Sequence, residues 1–159
     1  MDSPTLNEDF VDLLRSLQEA KVEFVIVGAH ALAAHGLSRA TGDLDVFVQP
    51  SPDNANRVVA ALRAFGAPLA QHGVTKSDFE KPNTVYQIGL PPCRVDLMTS
   101  ISGVSFDEAS SSRMTIEIEG LKLAVLGRQA LLKNKRATGR AKDKVDADML
   151  EKLSPGSGR

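Results

Sequence analysis

Apolar residues recur at helical spacing near the start of the chain, at Phe10, Leu13, Leu14 and Leu17, which predicts an amphipathic helix. Ser3 followed by Pro4 reads as its N-cap and first helical position. The period then changes: residues 24–27 are a continuous apolar run of strand length, and Gly28 breaks it. The alanine-rich residues 29–35 predict a short helix stopped by Gly36. A loop over 38–42 leads to a strand at 43–48, where Asp43 and Asp45 alternate with Leu44 and Val46. Pro52 opens a second helix with Val58, Val59, Leu62 and Phe65 on its apolar side, and the polar stretch 66–83 reads as a mobile loop over a substrate. Residues 84–90 and 93–98 predict an antiparallel strand pair joined at Pro91-Pro92. Residues 114–118 and 121–125 flank Glu119-Gly120 as a hairpin, and helices at 128–137 and 140–153 follow. Ser110, Ser111 and Ser112 are assigned to a loop, and residues 154–159 to a disordered tail.

Length and composition narrow the class. A chain of 159 residues suits one domain, placed at 1–153, with an aliphatic core. With aromatic residues at 4% and no Trp, broad stacking platforms for single-stranded nucleic acid are excluded. The lone Cys93 excludes an intramolecular disulfide and a cysteine-based zinc cluster, and is expected to be a half-buried small hydrophobe. No apolar run approaches the ~18 residues of a membrane span, and the acidic start lacks the positive region of a signal peptide, so the expected location is cytoplasmic. The net charge of −1 conceals an asymmetry: residues 128–144 hold seven basic residues and one acid, Asp143. Such a patch either holds phosphates or forms a solvated helix face.

The acids carry the candidate chemistry. Residues i and i+2 of a strand share a face, so Asp43 and Asp45 project together while Leu44 and Val46 enter the core. If the Val95-Asp96-Leu97 strand lies alongside, Asp96 stands roughly 5 Å from Asp45, where like charges oppose pairing. A divalent cation reverses that sign, and Mg²⁺ favours carboxylate oxygens together with substrate phosphates. Gly28, at a strand-to-helix turn, lets backbone N–H groups approach a phosphate. Singly, each feature has a plain structural explanation: solvent-facing charge, a helix-start device, a partner for some lysine. Their order and spacing favour a shared site.

Gly28-Ala29, a spacer of thirteen residues, Asp43-Leu44-Asp45 and then Asp96 between apolar residues resemble the signature of the polymerase-β-like nucleotidyltransferase superfamily. With residues 39–45 and 139–143, the chain is similar to small bacterial nucleotidyltransferases grouped with abortive-infection toxin enzymes, over about residues 24–150. The resemblance implies an α/β (α+β) nucleotidyltransferase fold, a mixed twisted sheet flanked by helices. It implies that Asp43 and Asp45 bind Mg²⁺, with Mn²⁺ as the alternative, and that Asp96 completes the metal site and helps activate an acceptor hydroxyl. It also implies that Gly28 and Ala29 hold the triphosphate, aided by Lys142 and, more weakly, Arg140 or Lys133. Arg39 either reaches phosphate or neutralises the aspartates. The family's second turn position is Gly or Ser; Ala29 lacks the hydroxyl, a loss of about 1–3 kcal/mol in nucleotide binding.

The expected activity is transfer of a nucleoside monophosphate from an NTP, ATP among them, to a hydroxyl of RNA such as tRNA, of a protein or of a small molecule. The alternatives are a catalytically weak binding module, such as an antitoxin-like partner in a toxin-antitoxin pair, and an RNA-binding protein using the basic segment. His30 and His35, five apart, do not share a helix face and read as packed or capping residues; His72 reads as a surface histidine without a partner. Lys135, Arg136 and Lys144 read as solvated charges.

Overall fold

The unbroken apolar runs become the middle of a sheet. In a computed structural model that describes residues 7–38, 42–90 and 93–153, the strands are β1 (Phe24–Val27), β2 (Leu44–Val48), β3 (Val85–Ile88), β4 (Val95–Met98), β5 (Met114–Ile118) and β6 (Leu121–Val125). They form one sheet in the order β3-β4-β2-β1-β6-β5. The sheet is mixed: β1 is antiparallel to β2 and parallel to β6, while β2 is parallel to β4. Parallel pairs are usually covered on both faces, and Val25, Ile26, Val27, Leu44, Val46, Phe47 and Val48 are accordingly buried. The helices are α1 (Glu8–Glu19), α2 (Gly28–Ala34), α3 (Pro52–Phe65), α4 (Lys76–Glu80), α5 (Phe106–Ser111), α6 (Arg128–Ala137) and α7 (Ala141–Lys152). This is the α/β class expected, with the antiparallel β3–β4 pair where the sequence placed it. Glu119 (φ 51°) and Gly120 (φ 81°) both take positive φ, the type I′ turn that suits the twist of a two-residue hairpin.

Four local expectations need correction. The first helix is capped by Asn7, whose side chain accepts a hydrogen bond from the Asp9 amide at 2.8 Å; Ser3 and Pro4 lie outside the described residues. The stretch 66–83 is not a free loop, because α4 forms within it on a Thr75/Asp78 capping box and buries Phe79, with Leu69 buried beside it. His72 has a partner there: its Nδ1 lies 2.8 Å from the Tyr86 hydroxyl. Ser110 and Ser111 belong to α5, started by a Ser105/Glu108 capping box and anchored by Phe106, whose ring meets Phe47 edge-on at 5.2 Å. Pro91-Pro92 and the tail 154–159 lie outside the described residues. No helix among those described is long and apolar enough to cross a membrane.

One buried polar residue fastens β1 and β2 to α3. Asn54, fully buried, accepts from the Glu23 amide (2.8 Å) and donates to the Glu23 carbonyl (3.1 Å) and the Gln49 carbonyl (2.9 Å). Removing it takes the side-chain partner from the Glu23 amide and the Gln49 carbonyl, while the Glu23 carbonyl keeps the Gln49 amide at 3.1 Å. Asn54→Ala is expected to cost about 2–4 kcal/mol, read as a lower urea midpoint with an unchanged slope; a loss under about 0.5 kcal/mol would show that water replaces the side chain.

Candidate functional site

The parallel pairing of β2 with β4 sets Asp45 opposite Asp96, and Leu44, Val46 and Leu97 around them are fully buried. Both carboxylates are therefore aimed by the packing of their neighbours, and Asp43 follows one residue before the strand. On the other side of β2, Val27 is the β1 partner of Asp45, so the next residue, Gly28, comes directly beside that carboxylate. Gly28 has φ +70°, and a Cβ placed on it would run into Asp45 Oδ2. The glycine thus provides both a left-handed turn and the space in which Asp45 sits.

Arg94, absent from the sequence-based site, lies between two of the acids. Its Nη2 is 2.7 Å from Asp43 Oδ2, and its Nε is 2.9 Å from Asp96 Oδ1. Its own carbonyl accepts from the Leu44 amide at 3.0 Å, which pins the arginine to the start of β2. Asp45 is left outside this fork. Burial, then the charges of Asp96 and Asp43, push its carboxyl up to about 6, against smaller opposing effects of Arg94 and Lys135. A signal for Arg94 existed: residues 94 and 96 bear the same i, i+2 relation that was read for Asp43 and Asp45.

His30, one turn into α2, meets Phe10 edge-on at 6.0 Å. Burial lowers its pKa, opposed by a hydrogen bond to the Asp43 backbone, so it is neutral near pH 7. His35 caps α2 and holds the Leu126 carbonyl at 2.8 Å, the capping role expected of it. Cys93 is half-buried, as read from the sequence, and free.

The basic segment is largely paired. Arg128 Nη2 lies within 3.4 Å of the carbonyls of Leu150, Glu151 and Leu153 at the end of α7. Lys133 pairs with Glu108 (2.7 Å), Arg136 with Glu151 (2.8 Å) and Arg140 with Asp143 (2.7 Å). Lys142 and Lys144 are exposed on α7, and Arg39 lies outside the described residues. The lysine whose charge reaches Asp45 is Lys135, read from the sequence as solvated. It is mostly buried, 3.1 Å from Asp143 Oδ1 and 3.6 Å from Asp146 Oδ2. Burial alone would raise the Asp143 carboxyl, but hydrogen bonds from Thr138 and Lys135 and the charges of Lys135 and Arg140 hold it below its usual value. The signal was the buried stripe of α7, Asp143, Asp146, Ala147 and Leu150, at helical spacing with two acids in it.

Three carboxylates are the hard oxygen donors a divalent cation takes. As arranged here, no three His, Cys, Asp or Glu side chains among the described residues converge as an ion-holding group. Two of the three site acids are instead gathered on the Arg94 guanidinium, so the donor set fits a cation and a resident cation already engages it.

Residues 6–155 match the family described as Nucleotidyl transferase of unknown function (DUF2204). Among solved structures, the fold is similar to that of the Thermotoga maritima protein TM1012, assigned as a nucleotidyltransferase, at 16% identity and TM-score 0.55, covering 93% of this chain and 94% of that one. It is also similar to the lincosamide antibiotic adenylyltransferase LnuA in its lincomycin-bound form, at 10% identity and TM-score 0.54, covering 96% of this chain and 100% of that one. No curated protein matches the sequence.

Proposed function

The chain belongs to this nucleotidyl transferase family, and on that footing we propose that it moves a nucleoside monophosphate from an NTP to an acceptor hydroxyl, in a Mg²⁺-dependent reaction that releases pyrophosphate. The observation that carries the reading is Asp45 facing Asp96 across β2 and β4 with Gly28 closed against the Asp45 carboxylate. A partly buried acid with raised pKa next to two other acids is costly unless it serves a charge that arrives with substrate.

Asp43, Asp45 and Asp96 would hold Mg²⁺ or Mn²⁺, which supplies positive charge at the reacting phosphate. Asp96 takes the proton of the acceptor hydroxyl as that oxygen bonds to the α-phosphorus. The bond from the α-phosphorus to its bridging oxygen then breaks, and the electron pair leaves with pyrophosphate. The backbone at Gly28 and Ala29 borders the triphosphate. Within the basic C-terminal segment, Lys135, oriented by Asp143 and Asp146, is best placed to offset its charge, because its own charge already reaches Asp45; Lys142 is exposed, and Lys133 and Arg140 pair with Glu108 and Asp143. Most of the work is positioning and charge neutralisation.

The rival reading is a catalytically weak binding module, such as an antitoxin-like partner. Arg94 relieves the repulsion between Asp43 and Asp96, so the case against a scaffold rests on Asp45, which has no ion pair among the described residues. Label transfer from each of four α-labelled NTPs with Mg²⁺, offered RNA, protein and small hydroxylated molecules, separates the two. Label is expected in one acceptor class and is lost in Asp43→Asn. No transfer, with no nucleotide binding by calorimetry, would leave the binding module as the reading to pursue.

A further inference from the structure

Arg94 stands where an arriving cation must compete with it. The fork has three contacts, Nη2 to Asp43 Oδ2 (2.7 Å), Nε to Asp96 Oδ1 (2.9 Å) and Nη2 to Asp96 Oδ2 (3.4 Å), so one guanidinium spans a carboxylate just before β2 and one on β4. Its place follows from the chain: the Leu44–Arg94 backbone bond sets it beside Asp43, and the two-residue repeat of a strand sets it on the face of Asp96. The side chain is 28% exposed, so it has a path to solvent without disturbing the core.

We propose that Arg94 is an exchangeable counter-cation that keeps the acidic site closed to free divalent metal and yields it to the metal–nucleotide complex. A metal ion arriving alone must displace the guanidinium and leave that charge without a partner. A metal–triphosphate complex brings both signs: the cation takes Asp43 and Asp96, and phosphate oxygens take the guanidinium. Two ion pairs are exchanged for two others, and no buried charge is left alone. Arginine suits this exchange because the fork that matches a carboxylate also matches a phosphate. Metal and nucleotide then bind synergistically, and by linkage each tightens the other equally.

The inference rests on the metal and nucleotide reading of the site, and one experiment separates their failures. Mn²⁺ binding is measured by calorimetry, with and without a non-hydrolysable NTP analogue, in wild type, Arg94→Gln, Arg94→Lys and Asp45→Asn. Wild type is expected to bind Mn²⁺ weakly alone and on the order of tenfold or more tightly with the analogue, an effect of the size usual for coupled sites. Arg94→Gln is expected to bind Mn²⁺ alone more tightly than wild type by a similar factor and to lose most of the synergy. Arg94→Lys, which keeps the charge but not the fork, should fall between them, and it decides the matter if the glutamine variant does not fold. Mn²⁺ binding by Arg94→Gln equal to or weaker than wild type, with Asp45→Asn abolishing it, overturns the exchange and leaves the metal site standing. Absence of Mn²⁺ binding in all four proteins, with or without nucleotide, overturns the underlying reading as well.

Discussion

Replacing Asp45 by Asn is expected to lower nucleotidyl transfer by about a thousandfold or more and, in the same protein stripped of metal, to raise the melting temperature above pH 6. The first effect follows from the proposed role of Asp45 in holding metal: a catalytic metal supplies several kcal/mol of transition-state stabilisation, and each 1.36 kcal/mol is about tenfold in rate. The second follows from the Asp45 carboxyl, lifted from 3.8 to about 6 by burial and by Asp96 and Asp43. Its proton is held more tightly in the folded chain than in the unfolded one. The resulting stabilisation is complete below the unfolded value and is lost as pH rises through about 6, a change of roughly 2–3 kcal/mol. Asn, which never ionises, keeps what aspartate gives up. Thermal unfolding in chelator should therefore show the variant ahead of wild type at pH 8, with the gap closing towards pH 4. Asp43 and Asp96 differ, since each is paired with Arg94 and its loss leaves the guanidinium half-partnered. A variant less stable than wild type at pH 8 would mean that Asp45 holds the fold rather than opposes it.

Gly28→Ala is expected to damage the turn and the acidic site together. The new Cβ meets the Asp45 carboxylate, and the residue keeps a φ of +70° that alanine rarely adopts. Backbone strain alone costs about 1–2 kcal/mol. The displaced carboxylate adds to that cost and spoils the alignment of Asp45 with Asp96, so transfer should fall at least about a hundredfold. Gly66→Ala serves as the internal control: Gly66 also has positive φ, +98°, but open space where its Cβ would go. It should lose a similar strain energy, seen in urea unfolding, and keep full activity. Equal activity of the two variants would show that Gly28 matters only as a turn.

The sheet was legible because its strands announce themselves. Residues 24–27 and 44–48 are almost wholly apolar, as strands buried on both faces must be, and Glu119-Gly120 marks its hairpin by turn chemistry alone. The approach of Asp96 to Asp45 was legible too, since strand alternation and the adjacency of two strands suffice for it. Charged residues acting from inside are not legible in the same way. Arg94 acquires its role from β2 and β4 lying side by side, and its own strand gives only the face. Lys135 was read as solvated because charge usually means water, yet Asp143 and Asp146 share the buried stripe of α7 and supply it with a polar interior. The serine-rich α5 was hidden by composition, although Ser105 and Glu108 stand at the spacing of a capping box.

The strand order has a consequence for how the molecule comes into being. All three aspartates precede residue 97, but β1, which carries the turn to Gly28, is flanked on one side by β6, nearly a hundred residues away in the chain. Pairing across so long a loop is entropically late. A chain emerging from the ribosome thus holds its acids long before it can hold them still: Val125 must reach Ile26 before the strand beside Asp45 has both its neighbours. The candidate site is finished by a segment that contributes no acid to it, which ties its assembly to completion of the sheet.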